Sequence, residues 1–234
     1  MTRADTMEKP YDVRLVIEKV RSQLKAKGVS MHANASLADY IDDFEMECIE
    51  EGVKLAMEGV LDALLIDREN DPNAKNTAAR VAKMYVREVF KGRYLRPPEA
   101  TSFPNVVQGS DMFVAGPWGF NSACSHHLVP IIGKAWVGVL SGNALLGLSK
   151  FGRITEHIMS RPQIQEEATQ QLVEALHAAF APRGVGVIVQ ARHFCACWRG
   201  VRDAGTVMIT QAARGTMNLP HQMERMLGLM ELAK

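Results

Sequence analysis

Long apolar runs, an excess of charge of either sign and a cysteine framework are all missing from this 234-residue chain. No stretch reaches the roughly 20 uncharged residues that cross a bilayer. The opening segment carries Arg3, Asp5, Glu8, Lys9, Asp12 and Arg14 and holds no apolar run of signal-peptide length. A membrane protein is therefore not expected. Lysine and arginine number 27 against 26 aspartates and glutamates, so the net charge is +1. No bulk field draws such a chain to nucleic acid, and any anion site must be local. Four cysteines, at positions 48, 124, 195 and 197, are too few and too irregularly spaced to staple a fold. Reduced thiols in a cytoplasmic protein are the expectation. Aromatic residues make only 6% of the chain, but apolar residues together make 47%, so an aliphatic core replaces disorder as the global reading.

The apolar pattern changes along the chain. Residues 1–35 are polar and weakly patterned, an arm with one short helix from Val13 to Lys25 ended by Gly28. From Ser36, Leu37, Ile41, Phe44, Cys48, Ile49, Val53, Met57, Val60, Leu61 and Leu64 recur at steps of three and four, which predicts a long amphipathic helix capped by Ser36. A turn at Asn70–Asn73 precedes a second helix, capped by Thr77 and running to Phe90. These make a helical region over 36–110. Beyond it, Asp111–Ala115, Lys134–Leu140, Val185–His193 and Thr206–Ala212 are short and rich in valine and isoleucine, as strands are. Ser149–Ser160 and Gln165–Phe180 keep helical spacing between them, with Arg161-Pro162 as the break. Two strands, two helices and two strands favour an α+β fold with an antiparallel sheet over residues 111–234, with 36–234 acting as one domain.

Cys124-Ser125-His126-His127 is the densest cluster of metal-capable side chains, and one turn aims Cys124 and His127 at a common ion. His193-Phe194-Cys195-Ala196-Cys197 ends the third strand. If that strand end lies beside the loop, one of its thiolates completes three ligands, and a fourth, open position is the mark of a catalytic zinc. A fourth ligand from Cys197 would instead close the site as a structural one. Arg80 and Lys83, and Lys150 and Arg153, form helical pairs of cations, Ser149 lies at a helix start, and Arg199 follows the second cluster. Singly these are ordinary surface groups; beside a metal cluster they suggest a phosphate-bearing substrate. Gln165-Glu166 opens a helix, where a carboxylate is a favourable dipole partner or an acceptor for the paired N–H groups of guanine.

Taken together, Cys124-Ser-His-His-Leu-Val-Pro, Gly147-Leu-Ser-Lys-Phe-Gly-Arg-Ile, Arg161-Pro-Gln-Ile-Gln-Glu, Thr169-Gln-Gln-Leu, Gly184-Val-Gly-Val, His193-Phe-Cys and Arg199-Gly-Val resemble zinc-dependent GTP cyclohydrolase I in order and spacing. Arg80-Val-Ala-Lys-Met-Tyr extends the resemblance, which covers roughly residues 40–212. It implies a tunnelling fold, an antiparallel sheet with helices packed on one face, whose subunits join edge to edge into pentamers that stack as a decamer with active sites between subunits. It implies Cys124, His127 and Cys195 as ligands of Zn2+, and His126 and His193 as proton-transfer groups. Gln165 and Glu166 would hold guanine, while Arg80, Lys83, Ser149, Lys150, Arg153 and Arg199 gather round the triphosphate. The implied reaction opens GTP to 7,8-dihydroneopterin triphosphate and formate, a first step toward pterins and folate or toward 7-deazaguanines.

Three features depart from the pattern. Ser125 stands where the family most often has an acidic residue, Ala115–Asn121 and Cys197-Trp198 are unusual, and the tail after Gln211 matches poorly. Two other readings are open to a chain of this kind. A nitrile reductase of the same superfamily needs a cysteine nucleophile and no zinc, whereas the Cys/His/Cys set is complete here. A zinc-stabilised binding protein needs neither histidine, and both are present.

Overall fold

The computed structural model describes residues 11–107 and 112–232. The chain forms two compact units, Met1–His32 with Leu37–Glu88, and Ala33–Ser36 with Val89–Lys234. Asp111, expected to open the first strand, lies outside the described residues, as do residues 1–10 of the expected arm.

The first unit is helical, with α1 (Val13–Ala26), α2 (Asp43–Ala63) and α3 (Thr77–Lys83), the last continuing as a π-helical stretch over Met84–Val89. The expected cap of α2 is corrected. Asp42, not Ser36, caps it, because Asp42 Oδ1 accepts from Glu45 N at 2.7 Å while Glu45 Oε2 accepts from Asp42 N at 3.1 Å. This reciprocal pair satisfies two otherwise orphaned donors, and Ser36 lies too far before Asp43, where the helix begins, to cap it. Thr77 likewise begins α3 rather than capping it; Asn76 is the N-cap. Cys48 is a core residue as expected, but Phe44, Val60 and Leu64 of the same apolar stripe are exposed.

The second unit holds α4 (Lys91–Tyr94), β1 (Ser102–Pro104), β2 (Met112–Cys124), β3 (Pro130–Leu140), β4 (Ala144–Leu146), α5 (Leu148–Met159), β5 (Pro162–Gln163), α6 (Gln165–Phe180), β6 (Gly184–His193), α7 (Phe194–Cys197), β7 (Met208–Gly215) and α8 (Pro220–Glu231). Its main sheet runs β5-β2-β3-β6-β7, antiparallel throughout except the two-residue β5–β2 pairing; β1 and β4 form a separate ribbon. The α+β class with an antiparallel sheet is thus the one observed. The first strand is longer than its valine-rich start, because the Gly116-Pro117 pair makes a bulge and the ladder resumes at Trp118.

Strand alternation sorts the side chains. Ala135, Val137 and Val139 of β3 and Val185, Val187 and Val189 of β6 are fully buried in one cluster with Phe151, Leu172, Val173 and Leu176 of α5 and α6. Each such side chain contributes roughly 1.5–3 kcal/mol by leaving water, so this layer is what holds α5 and α6 on the sheet. The C-terminal segment adds cover on the opposite face. There Gly138 leaves room for Met226 of α8, whose Sδ would lie 2.5 Å from a Cβ at that position. No helix among the described residues is long and apolar enough to cross a membrane.

Candidate active site

Register brings the two cysteine segments together. Ala123 of β2 pairs with Pro130 of β3, and Cys124 O accepts from His127 N at 3.3 Å and from Leu128 N at 2.8 Å, so Cys124–Val129 is a tight reversal. Leu128 takes a positive φ of 53° to close it. Ile131, just beyond that turn, pairs with His193 at the end of β6. The one-turn α7 then curls Cys195 back over the turn. Cys124, His127 and Cys195 each offer a ligand atom, and these atoms lie within 4.8 Å of one another. Among the described residues this is the one such group of three.

The donor set fits a zinc ion. Two sulfurs and an imidazole are the soft and borderline ligands Zn2+ prefers, and tetrahedral binding needs donors roughly 3.5–3.8 Å apart. Cys124 Sγ and His127 Nδ1 are already 3.8 Å apart. Burial, and then the neighbouring Cys124 sulfur, push the Cys195 thiol above its ordinary pKa, a shift a bound cation opposes because it takes the thiolate. Arg199 Nη1 donates to His127 Nε2 at 3.1 Å. A metal on Nδ1 puts the ring's proton on Nε2, so that ion and Arg199 are mutually exclusive partners of this imidazole. Cys197 is not part of the group.

A short strand buttresses the cluster. β5 lies parallel to the end of β2, with Ala123 opposite Pro162 and Cys124 opposite Gln163. Ser125 N donates to Gln163 O at 3.2 Å, and the buried Gln163 Nε2 reaches Ser122 Oγ at 3.2 Å, Ile158 O at 3.0 Å and Met159 O at 3.1 Å. Ser122 Oγ donates to Arg161 O at 3.1 Å. Arg161 Nε donates to Gly92 O at 2.9 Å, and its other nitrogens reach Asn34 O, Gln171 Oε1 and His157 Nε2. None of these residues has a supporting role in the sequence pattern, where Arg161-Pro162 marks a helix break; the available signal is the alternation of Arg161, Gln163 and Gln165 with Pro162 and Ile164.

The remaining expected residues fall into three groups. His126 is exposed beside His127, with ring centroids 6.3 Å apart. His193 lies at the rim, and burial, opposed by the charge of Glu166, holds its pKa below the ordinary value. Glu166 is exposed in the first turn of α6 and accessible to a ligand. Gln165 is buried, and its side chain is engaged inside the fold with His193, Val189, Met208 and Thr210. Ser149, Lys150 and Arg153 occupy the start of α5, at the opposite end of that helix from β5. The end of α5 abuts β5 through Ile158 and Met159, and Ser149 is ten residues earlier, about 15 Å along the helix axis. Arg80 and Lys83 are exposed on α3 in the first unit.

Comparison with known proteins agrees with this geometry. The sequence model of the family described as GTP cyclohydrolase I matches residues 53–231. GTP cyclohydrolase 1 of Flavobacterium johnsoniae is 35% identical over 195 residues, 83% of this chain and 86% of the relative. The enzymes of the same name from Erwinia tasmaniensis and Histophilus somni strain 2336 are 34% and 32% identical, each covering 84% of this chain and 87% and 88% of their own length. Among solved structures, an apo archaeosine synthase QueF-like protein aligns over 51% of this chain and 97% of its own, with 18% identity and a TM-score of 0.35. The match over most of the length, on a chain whose distant Cys/His and Cys segments meet at one point, means that this chain belongs to the GTP cyclohydrolase I family of enzymes.

Proposed function

We propose that the protein converts GTP to 7,8-dihydroneopterin triphosphate and formate, using Zn2+ held by Cys124, His127 and Cys195. The observation that carries the reading is the convergence of those three ligand atoms within 4.8 Å from two segments about 70 residues apart in sequence. When bound, the ion supplies Lewis-acid activation of water near neutral pH. The chain's own groups do the rest. Glu166 accepts the two adjacent N–H groups of guanine and sets the purine's orientation. His193 and His126 exchange protons with the purine as its imidazole ring opens, and with the sugar during the rearrangement that follows. Arg199, Lys150, Arg153 and Ser149 bind the triphosphate, with Arg80 and Lys83 as further cations for it.

This assignment makes the working site a composite. The start of α5 is about 15 Å along the helix axis from the end that abuts β5 beside Cys124, and the reading takes Ser149, Lys150 and Arg153 from a neighbouring copy. Sheet edges suited to that association are present: β7 ends the sheet order, and β2 from Met112 to Ser122 has β3 on one side only. Homo-oligomers that pair such edges into pentamers, two of which stack as a decamer, remove a row of unpaired backbone groups. The product would enter pterin and folate or 7-deazaguanine synthesis.

Purified zinc-loaded protein incubated with GTP should release formate and, after oxidation and dephosphorylation, yield a fluorescent pterin. Absence of both, with zinc bound and the oligomer intact, rejects the reading. Cys195→Ala should lose both zinc and turnover; retained zinc would implicate Cys197.

A further inference from the structure

Gln165 has all the polar atoms of its side chain engaged inside the fold. Its Nε2 donates to Val189 O at 3.2 Å, Met208 O at 3.1 Å and Thr210 Oγ1 at 3.0 Å, two hydrogens shared among three acceptors. These acceptors settle which end of the amide is which, since a flip would set Oε1 against two carbonyl oxygens. Oε1 therefore faces His193 Nε2, 2.8 Å away. A carbonyl oxygen only accepts, so the proton of the neutral imidazole sits on Nε2.

The hydroxyls around Gln165 agree with this direction. Thr169 Oγ1 donates to Gln165 O at 2.7 Å, one helical turn back. Thr169 and Thr210 hydroxyl oxygens are 2.6 Å apart, so Thr210 must be the donor of that pair. Its oxygen is then free to accept from Gln165 Nε2. The direction of every hydrogen bond from Thr169 through Thr210 and Gln165 to His193 is thereby fixed. Such a network holds a ring more tightly than a single contact would.

We propose that Gln165 is a positioning residue that fixes the His193 ring as its Nε2–H tautomer, so that Nδ1 is the ring nitrogen left for a substrate. The proposal deepens the function proposed above and rests on it for the identity of the reaction. It also gives Gln165 a role that needs no contact with the base: the carboxylate that meets guanine comes from Glu166, and the adjacent amide orients the acid–base group.

The test combines a spectroscopic and a kinetic measurement. Long-range 1H–15N NMR of zinc-loaded protein with 15N-labelled histidine should show His193, identified by its loss in His193→Asn, as the Nε2–H tautomer. In Gln165→Met, which keeps the volume but removes the acceptor, the tautomer signature should become mixed. The kcat for formate release should fall about 10–100-fold, with KM for GTP changed less than about twofold. An Nδ1–H signal in the wild-type protein overturns the proposal. So does Gln165→Met with an unchanged signature and kcat, or with a raised KM at unchanged kcat, the pattern of a residue that binds substrate. If Gln165→Met does not fold, the wild-type spectrum decides alone. A wild-type protein that binds zinc but forms no formate would reject the proposed function and leave the tautomer measurement standing.

Discussion

A guanidinium taken out of water must replace hydration at its five N–H groups, and Arg161 meets four neutral acceptors: Gly92 O, Asn34 O, Gln171 Oε1 and His157 Nε2. Burial lowers its pKa to about 10, so it remains a cation at neutral pH. The consequence falls on His157. Burial first, then the charges of Arg161 and Lys91, lower its pKa from 6.5 to about 4. Between those values the unfolded chain binds a proton that the folded chain refuses, so stability rises with pH there. The contribution of His157 is complete above pH 6.5 and is lost as pH falls toward 4. It is worth about 2 kcal/mol after allowance for the ring's partial solvent access. Urea midpoints at pH 7 and pH 5 should therefore differ less in His157→Gln than in the wild type; equal differences would show that His157 does not contribute. This network was illegible in the sequence, as was the inward turn of Gln165, and for one reason. Residue type marks Cys124, His127 and the Cys195/Cys197 pair as metal candidates, because cysteine and histidine at such spacings suit a metal, and the family resemblance selects Cys195. A buried Arg, Gln or Thr is defined by its partners, and Arg161 meets Gly92 and Asn34 from positions that no periodicity connects.

At the scale of elements, the patterns that rest on long runs were readable: α6 spans Gln165–Phe180 as its apolar spacing predicts, and β6 differs from expectation by one residue. The short elements were not. β5 is two residues long and exists because Gln163 bridges Ser122 and the end of α5, a tertiary cause with no local pattern. The path of β2 past Gly116-Pro117 likewise depends on β3 resuming its pairing at Trp118. That resumption sets Trp118 against Gly152 of α5, where an added Cβ would lie 2.7 Å from Cε3 of the indole. Two effects oppose one another in Gly152→Ala. Helix propensity favours alanine by about 1 kcal/mol, while overpacking costs about 1–3 kcal/mol, so the substitution should destabilise by up to about 2 kcal/mol. In a Trp118→Leu background the clash is gone and the same substitution should stabilise. Denaturant midpoints of the four proteins measure this reversal of sign, and destabilisation in both backgrounds would mean that Gly152 answers to something other than the indole.

At the scale of the whole molecule, the proposed function asks a chain of net charge +1 to concentrate cations at one place, and to do so by association between chains. Composition reports neither. Lys150 and Arg153 begin α5, whose far end is tied to β5 beside Cys124, so in the proposed site the length of α5 lies between the groups assigned to phosphate and those assigned to the metal. Two defects therefore distinguish a composite site from a self-contained one. Cys195→Ala removes a metal ligand, and Arg153→Ala removes a phosphate contact; each variant alone should form little product. Co-expressed in equal amounts, they assort at random, and about a quarter of the interfaces receive an intact half from each neighbour. Formate release should then recover to about a quarter of the wild-type rate, with particles of wild-type size by sedimentation. If the halves of the site belonged to the same chain, every chain in the mixture would carry one defect. Mixed particles would form and remain inactive, and the interface assignment of Ser149, Lys150 and Arg153 would fall while the metal cluster stood.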